Sequence, residues 1–306
     1  MQRYAAQRLL QLAPVLVSVS VLVFLMVHLV PGDPVQVMLQ DYGTPAQAAA
    51  LRHTLGLDRP LAVQYGVFAW RALHGDFGRS IRSGRPVSGE IALRLPYTLQ
   101  LTAASMVVAI ALGLVLGMIA ALQHRRLPDY AAMVAALAGI SLPSFWFGLV
   151  LILIFSYYLR WLPAAGADTP GSLILPAVTL GTSAASIIAR LSRSSLLEVL
   201  RQEFIRTARA KGMREWRVLY RHGLRNALIP VLSIIGLQVA GLLGGAVIVE
   251  TVFGWPGLGR LAIDAIFNRD IPMIQGIVLV AATIFVAVNL AIDLLYALVD
   301  PRIRYS

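Results

Sequence analysis

Apolar residues fall along this chain in long runs broken by polar stretches. The first run, residues 9–30, follows Arg3 and Arg8 and has the length that crosses a hydrocarbon core at about 1.5 Å per helical residue. Further runs cover residues 97–122, 131–158, 173–197, 229–249 and 273–298. The pattern predicts an all-α integral membrane protein, residues 1–306, with six transmembrane helices. The first run ends in Val30-Pro31-Gly32-Asp33-Pro34 with no small-residue cleavage site, so it reads as an uncleaved span with its N-terminus inside. Pro143, within GISLPSFWFG, is expected to kink or break the third span.

Three polar stretches carry structure of their own. Residues 31–95 read as a helical extracytoplasmic insert between helices 1 and 2. Thr44 and Pro45 look like an N-cap and first helical position, with Gly56 a stop; residues 60–74 read as a second helix ended by Gly75. The Gly-, Ser- and Arg-rich run 75–90 reads as an ordered loop or hairpin. Residues 250–272 combine a turn at Trp255-Pro256-Gly257 with an amphipathic patch of Leu258, Leu261, Ile263, Ala265 and Ile266, which fits a re-entrant or surface-lying outer helix.

The third stretch is the inner loop 198–228. Up to Pro230 it holds eight basic and three acidic residues. At the bilayer centre each Arg or Lys costs roughly 2.5 to 3.5 kcal/mol, so this segment lies in water. Phe204, Ala208, Trp216, Val218 and Leu219 leave an apolar strip at helical spacing, predicting a short helix beside the membrane. Ala208, Ala210 and Gly212 are small enough to admit another surface close to the backbone.

Composition agrees: 58% of residues are hydrophobic, 13% are charged, and the mean hydropathy is +0.74, too apolar for a soluble domain. The net charge of +11 does not require nucleic acid, because the basic residues sort by side. Sixteen of the 26 fall on the expected inside, and seven of the other ten lie in the long insert, where charge has little weight in orientation. Both termini are therefore expected in the cytoplasm, with Arg85 and Arg94 a minor discrepancy beside the second span.

Several chemistries are missing. There is no cysteine, and the five histidines show no metal-binding spacing. The one lysine, Lys211, lies between Ala210 and Gly212, so there is no Gly-Lys-Ser/Thr phosphate loop and nucleotide energy must come from another subunit. No nucleophile elbow is present. Polar groups within spans are candidates for a translocation path: Ser141 and Ser144 beside Pro143, Thr182, Ser183 and Ser186 in the fourth span, and Asn289 with Asp293 in the last. Interhelical hydrogen bonding is the commoner use of such groups. His28 reads mainly as a helix-end residue. Gly113-x3-Gly117 and Gly241-x3-Gly245 permit close helix approach.

Arg206-Thr207-Ala208-Arg209-Ala210-Lys211-Gly212, followed by His222-Gly223-Leu224-Arg225-Asn226-Ala227-Leu228-Ile229-Pro230, resembles the cytoplasmic EAA loop of ABC-importer permeases. The version is that of the dipeptide, oligopeptide and nickel subfamily. PGDPV at 31–35, GDFGRSI at 75–81, GGAVIVETVFGWPGLGRL at 244–261 and LLYALVDPRIRY at 294–305 are similar to signatures of that subfamily's first permease subunit. Arg206 stands where other permeases carry a Glu, which leaves the contacting side chains less defined than their location. The resemblance implies a type I ABC-importer permease fold in a bacterial inner membrane. It implies as partners a second homologous permease, two cytoplasmic ATPases and an extracytoplasmic solute-binding protein. It also implies ATPase coupling through Phe204, Arg206, Thr207, Ala208, Arg209, Lys211, Gly212 and Trp216. The solute would be a di- or oligopeptide, a glutathione-like peptide, or a nickel or metallophore chelate. No cofactor is expected on this chain, ATP and magnesium belonging to the partner subunits. The competing reading is an ion-gradient-driven secondary transporter, which requires an ionisable relay mid-membrane; no internal repeat supports it.

Overall fold

The structure is a computed structural model that describes residues 2–29, 44–55 and 58–299. Its helices are α1 (Gln2–Leu29), α2 (Pro45–Leu55), α3 (Leu61–Leu73), α4 (Val87–Leu122), α5 (Leu127–Ser141), α6 (Ser144–Leu151), α7 (Ile174–Leu200), α8 (Glu203–Ala210), α9 (Glu215–Arg217), α10 (Arg225–Val252), α11 (Leu258–Phe267) and α12 (Ile271–Val299). Wide π-helical turns at Ile152–Tyr158 and Val218–Leu224 extend α6 and join α9 to α10, and a 3-10 turn at Pro170–Leu173 leads into α7. No strand occurs among the described residues; one isolated bridge pairs Arg79 with Pro86.

Four helical segments are long and apolar enough to cross a membrane: Val87–Leu122, Pro170–Leu200, Glu215–Val252 and Ile271–Ile292. The pair α5 and α6, extended to Tyr158, is apolar enough to cross when its two halves are taken together, and is bent by 109° between them, as in a broken span or a re-entrant loop. Pro143 explains the bend, because a residue before proline is pushed out of the helical region and Leu142 has ψ 128°. A shorter apolar helix covers Gln11–Met26, so the described residues give four spans, the bent pair and this shorter helix where six spans were expected.

The chain divides into two compact units, residues 97–260 and residues 1–96 with 261–306. The centre of the first is α7, whose buried residues include Leu180, Ala184, Ile188, Ser192 and Leu196 at helical spacing. α5, α6 and α10 pack on it. α4 approaches it at the predicted glycine pair: a Cβ on Gly113 would stand 2.7 Å from that of Ile188, and one on Gly117 would stand 2.7 Å from the Ala189 carbonyl oxygen. Of the second pair, Gly245 faces Leu180 while Gly241 meets nothing. Large side chains pointing outward, such as Val107, Val115 and Leu237, suit lipid contact.

In the other unit α1 packs on α12 and α3. Gln275 donates to the Val23 carbonyl at 3.0 Å, and Phe24 stacks edge-on against Tyr65. α2 starts at the predicted cap, where Thr44 and Gln47 exchange hydrogen bonds between side chain and backbone N–H in both directions. α3 ends before Gly75, which has φ 74°. PGDPV at 31–35 and the carboxyl end of the 294–305 signature lie outside the described residues, as does Gly56.

Two boundaries differ from the apolar pattern. α4 begins ten residues before the second apolar run, because Glu90 and Arg94 interrupt hydrophobicity without interrupting helix. The run 75–90 is a turn only as far as Pro86, and the helix takes the rest.

Candidate functional site

The 198–228 loop is an excursion from a fixed base. Where α7 ends, the Ser195 hydroxyl donates to the Ala227 carbonyl of α10 at 2.9 Å. Gly223 is buried against Leu196 and Leu200. On the other side of α7, Arg193 forks onto Asp129 of α5, with Nε to Oδ1 at 2.7 Å and Nη2 to Oδ2 at 2.8 Å. The Arg125 N–H adds a third bond to that carboxylate, and His124 lies 3.2 Å from the guanidinium. Asp129 is 2% exposed, so a planar, fully satisfied charge pair clasps α5 to α7.

From this base the chain turns into α8. Glu203 in its first turn and Arg209 in its last suit the helix dipole. Ile205, Ala208 and Val218 are buried together with Met213 packed on them, a small core for the loop itself. At the end of α8 the Gly212 N–H donates to the Arg209 carbonyl and the Met213 N–H to the Ala208 carbonyl. With φ 72° at Gly212 and Met213 resting beside Ala208, this is a Schellman cap. Arg209 then reaches across the turn to Glu215, at 2.6 and 3.2 Å, closing α8 onto α9. That ion pair holds the Arg209 proton more firmly than usual.

These contacts sort the eight predicted coupling residues. Phe204, Arg206, Thr207, Arg209, Lys211, Gly212 and Trp216 are exposed on one small element, while Ala208 is buried. The expected apolar strip is corrected accordingly. The inward face is carried by Ile205, Ala208, Met213 and Val218, while Phe204 and Trp216 point outward with Arg217 stacked on the Trp216 ring at 5.3 Å. Ala208 is thus not an opening for another surface. Thr207 donates to its own helix at Glu203. Of the eight, Arg206 and Lys211 are cations whose side chains have no polar partner among the described residues, which leaves both available for an external contact. A cleft of about 450 Å³ lies in the elbow between α7 and α8, lined by Arg193, Leu197, Glu198, Arg201 and Glu203 among others.

The path candidates are more dispersed. Ser141 closes α5 and Ser144 opens α6 at the bend. Thr182 and Ser186 donate to carbonyls one turn back and lie against Gly139 of α5. Asn289, in the other unit, donates to the Phe285 carbonyl. The side chains of His28 and Asp293 lie outside those described. No group able to hold a metal ion occurs among the described residues.

One feature that the apolar pattern hid is Glu250, which it assigns to the loop after the fifth span. It is fully buried in α10, accepts from the Thr98 hydroxyl at 2.6 Å and from the Arg260 N–H at 3.0 Å, and the same Thr98 oxygen accepts from the Leu258 N–H. Gly257 and Gly259 pass so close that a Cβ on either would collide with the carboxylate. The Trp255 indole N–H completes the corner by donating to the Tyr97 carbonyl.

Comparison with known proteins places this arrangement. Residues 113–305 match the family described as binding-protein-dependent transport system inner membrane component, and residues 1–102 match the N-terminal family of such membrane components. The glutathione transport system permease protein GsiC of Salmonella choleraesuis is 49% identical over 306 residues, covering all of both chains, and that of Escherichia coli K12 is 48% identical over the same span. The fold is similar to an inward-facing MetNI methionine ABC transporter chain at TM-score 0.56 and 20% identity, covering 69% of this chain and 96% of that one. An amino acid ABC transporter chain gives TM-score 0.55 at 16% identity, covering 69% and 94%. The chain belongs to the binding-protein-dependent permease family, as a membrane-embedded permease subunit of an ABC importer of the peptide and nickel class that works with ATPase and solute-binding partners.

Proposed function

We propose that the 198–228 loop is the handle through which cytoplasmic ATPases drive this permease, and that the solute is a peptide of the glutathione type. The observation that carries the first part is α8: exposed, capped, internally cored and rooted on α7 and α10, it moves as a piece with the helices beneath it. A partner closing on ATP fits only one position of such a piece and so biases the pore between inward-open and outward-open states. Phe204 and Trp216 supply apolar anchors, and Arg206 and Lys211 the charge. The solute class is supported by the two permease relatives, whose names give glutathione transport.

The rest of the assembly follows from this reading. The first apolar helix completes six spans, both termini lie in the cytoplasm, and residues 31–95 and 250–272 form the outer platform for the solute-binding protein. A second homologous permease completes the path, with Ser141, Ser144, Thr182, Ser186 and Asn289 as lining candidates. Leu237, Gly241, Gly244 and Ile248 form an outward stripe on α10 with open space over both glycines, which suits close packing against that subunit. Hydrolysis of ATP, with its magnesium, belongs to the partners, and this chain catalyses nothing itself.

Charge reversal at Arg206 and Lys211 tests the handle. Co-purification of the ATPases should fall at least tenfold while membrane insertion is retained. Unchanged co-purification would place the grip elsewhere. For the solute, uptake of labelled glutathione by the complete transporter should be reduced more by unlabelled glutathione than by neutral dipeptides.

A further inference from the structure

We propose that Glu250 is a positioning residue of the transport cycle: its carboxylate fastens the first turn of α11 and the start of α4 to the outer end of α10, so that these segments follow α10 when the 198–228 loop moves it. This rests on the reading above, in which ATPases drive that loop and residues 250–272 face outward. The loop and α10 share one helical path, which is continuous from Glu215 to Val252. Near its inner end the path is tied to α7 through Ala227 and Ser195, and its outer end carries Glu250.

A helix leaves the N–H groups of its first turn without partners of its own. In α11 two of these are taken from other helices. The Leu258 N–H donates to the Thr98 hydroxyl oxygen of α4 at 2.8 Å, and the Arg260 N–H donates to Glu250 at 3.0 Å. The Thr98 hydroxyl in turn donates to the other carboxylate oxygen at 2.6 Å. One carboxylate and one hydroxyl thus cap α11 and join it to α10 and α4. Glu250 and Leu258 are both buried, so the start of α11 either travels with α10 or leaves polar groups unpaired where water does not replace the partner.

Packing alone would not call for an acid at this corner. Phe253 and Trp255 already fill it, both buried, with Phe253 lying against Gly148 of α6. The Arg260 guanidinium donates to the Gly254 carbonyl at 2.6 Å and leaves the carboxylate to O–H and N–H donors. A buried carboxylate is costly unless its hydrogen bonds are made. Here they are made only in one arrangement of three segments, which is what a part that transmits displacement needs.

The chain contains no cysteine, so single thiols report the motion. Thr251→Cys lies on α10, and Pro256→Cys lies on the turn that leads into α11. Both are read in the complete transporter in nanodiscs with its solute-binding protein, as reactivity toward a membrane-impermeant maleimide before and after trapping with ATP and vanadate. In the otherwise unaltered chain both thiols should change reactivity on trapping. Adding Thr98→Val or Glu250→Gln should leave the change at 251, abolish it at 256 and lower solute-stimulated ATPase about tenfold. Thr98→Ser, which keeps the hydroxyl, should behave as the unaltered chain. A thiol at 256 that stays constant in the unaltered chain while 251 changes, or that keeps changing in both variants, would overturn the proposal. Loss of the change at 251 as well, or loss of folded protein in both variants, would make Glu250 a residue of folding alone and overturn it too. No change at either thiol in the unaltered transporter would instead overturn the drive through the 198–228 loop on which the proposal rests.

Discussion

At Gly212 the backbone by itself already selects glycine. Its φ of 72° lies where a side chain costs about 1 to 2 kcal/mol, yet nothing lies within 4 Å of where a Cβ would be. Substitutions should therefore follow tolerance of the left-handed region: Gly212→Asn should keep most ATPase coupling, Gly212→Ala less and Gly212→Val least. A ranking by volume instead, measured as solute-stimulated ATPase, would restore the close-approach explanation. Smallness was readable in the sequence, but the sign of φ was not. Asp129 makes a second case. Asp129→Ala removes the partner of Arg193, which is 27% exposed and can reach water, so the cost should fall below the ~3 to 5 kcal/mol of a fully buried pair. The melting temperature in detergent should fall, and the double change Asp129→Ala with Arg193→Leu should recover much of the loss. Neither this pair nor Arg209 with Glu215 was legible, since partners 64 and 6 residues apart do not share a helical repeat.

Among the elements, the spans were legible because burial in lipid demands about 20 apolar residues in a row, and Pro143 announced its own bend. The start of α4 was not, because helix outside the membrane needs no apolar run. In the 198–228 loop the helix was visible and its buried face was not. Large residues such as Phe204 and Trp216 attract assignment to a core, although a helix as short as α8 can bury only Ile205 and Ala208 against Val218. The two glycine pairs make a matched experiment. Gly113→Leu forces α4 away from Ile188 and the Ala185 carbonyl and should reduce the yield of folded subunit. At Gly241 and Gly244 a Cβ has no neighbour within 4 Å among the described residues, so Gly241→Leu and Gly244→Leu should leave the isolated subunit intact while weakening its pairing with a second permease. Equal losses of folded yield from both sets would remove the distinction.

For the whole molecule, class and membrane residence followed from hydropathy and charge placement, and the family followed from short motifs spread along the chain. Energy supply is a statement at this scale. A chain whose one lysine has no phosphate loop around it should not accumulate solute in vesicles by itself, and uphill uptake should appear only with ATPases, binding protein and ATP together. Uptake driven by an ion gradient with the purified chain alone would return the secondary-transporter reading. Because the protein contains no cysteine, single introduced thiols at positions such as 82 and 212 report sidedness without background.

The carboxylate of Glu250 fills the room that side chains at positions 257 and 259 would otherwise take, and it binds the amide that follows them. These three positions are therefore not independent over evolutionary time. A lineage giving Gly257 a methyl group would have to shorten the acid in the same step, and one that lost the acid would free Gly257 to drift while Gly259 stayed held by the Val247 backbone.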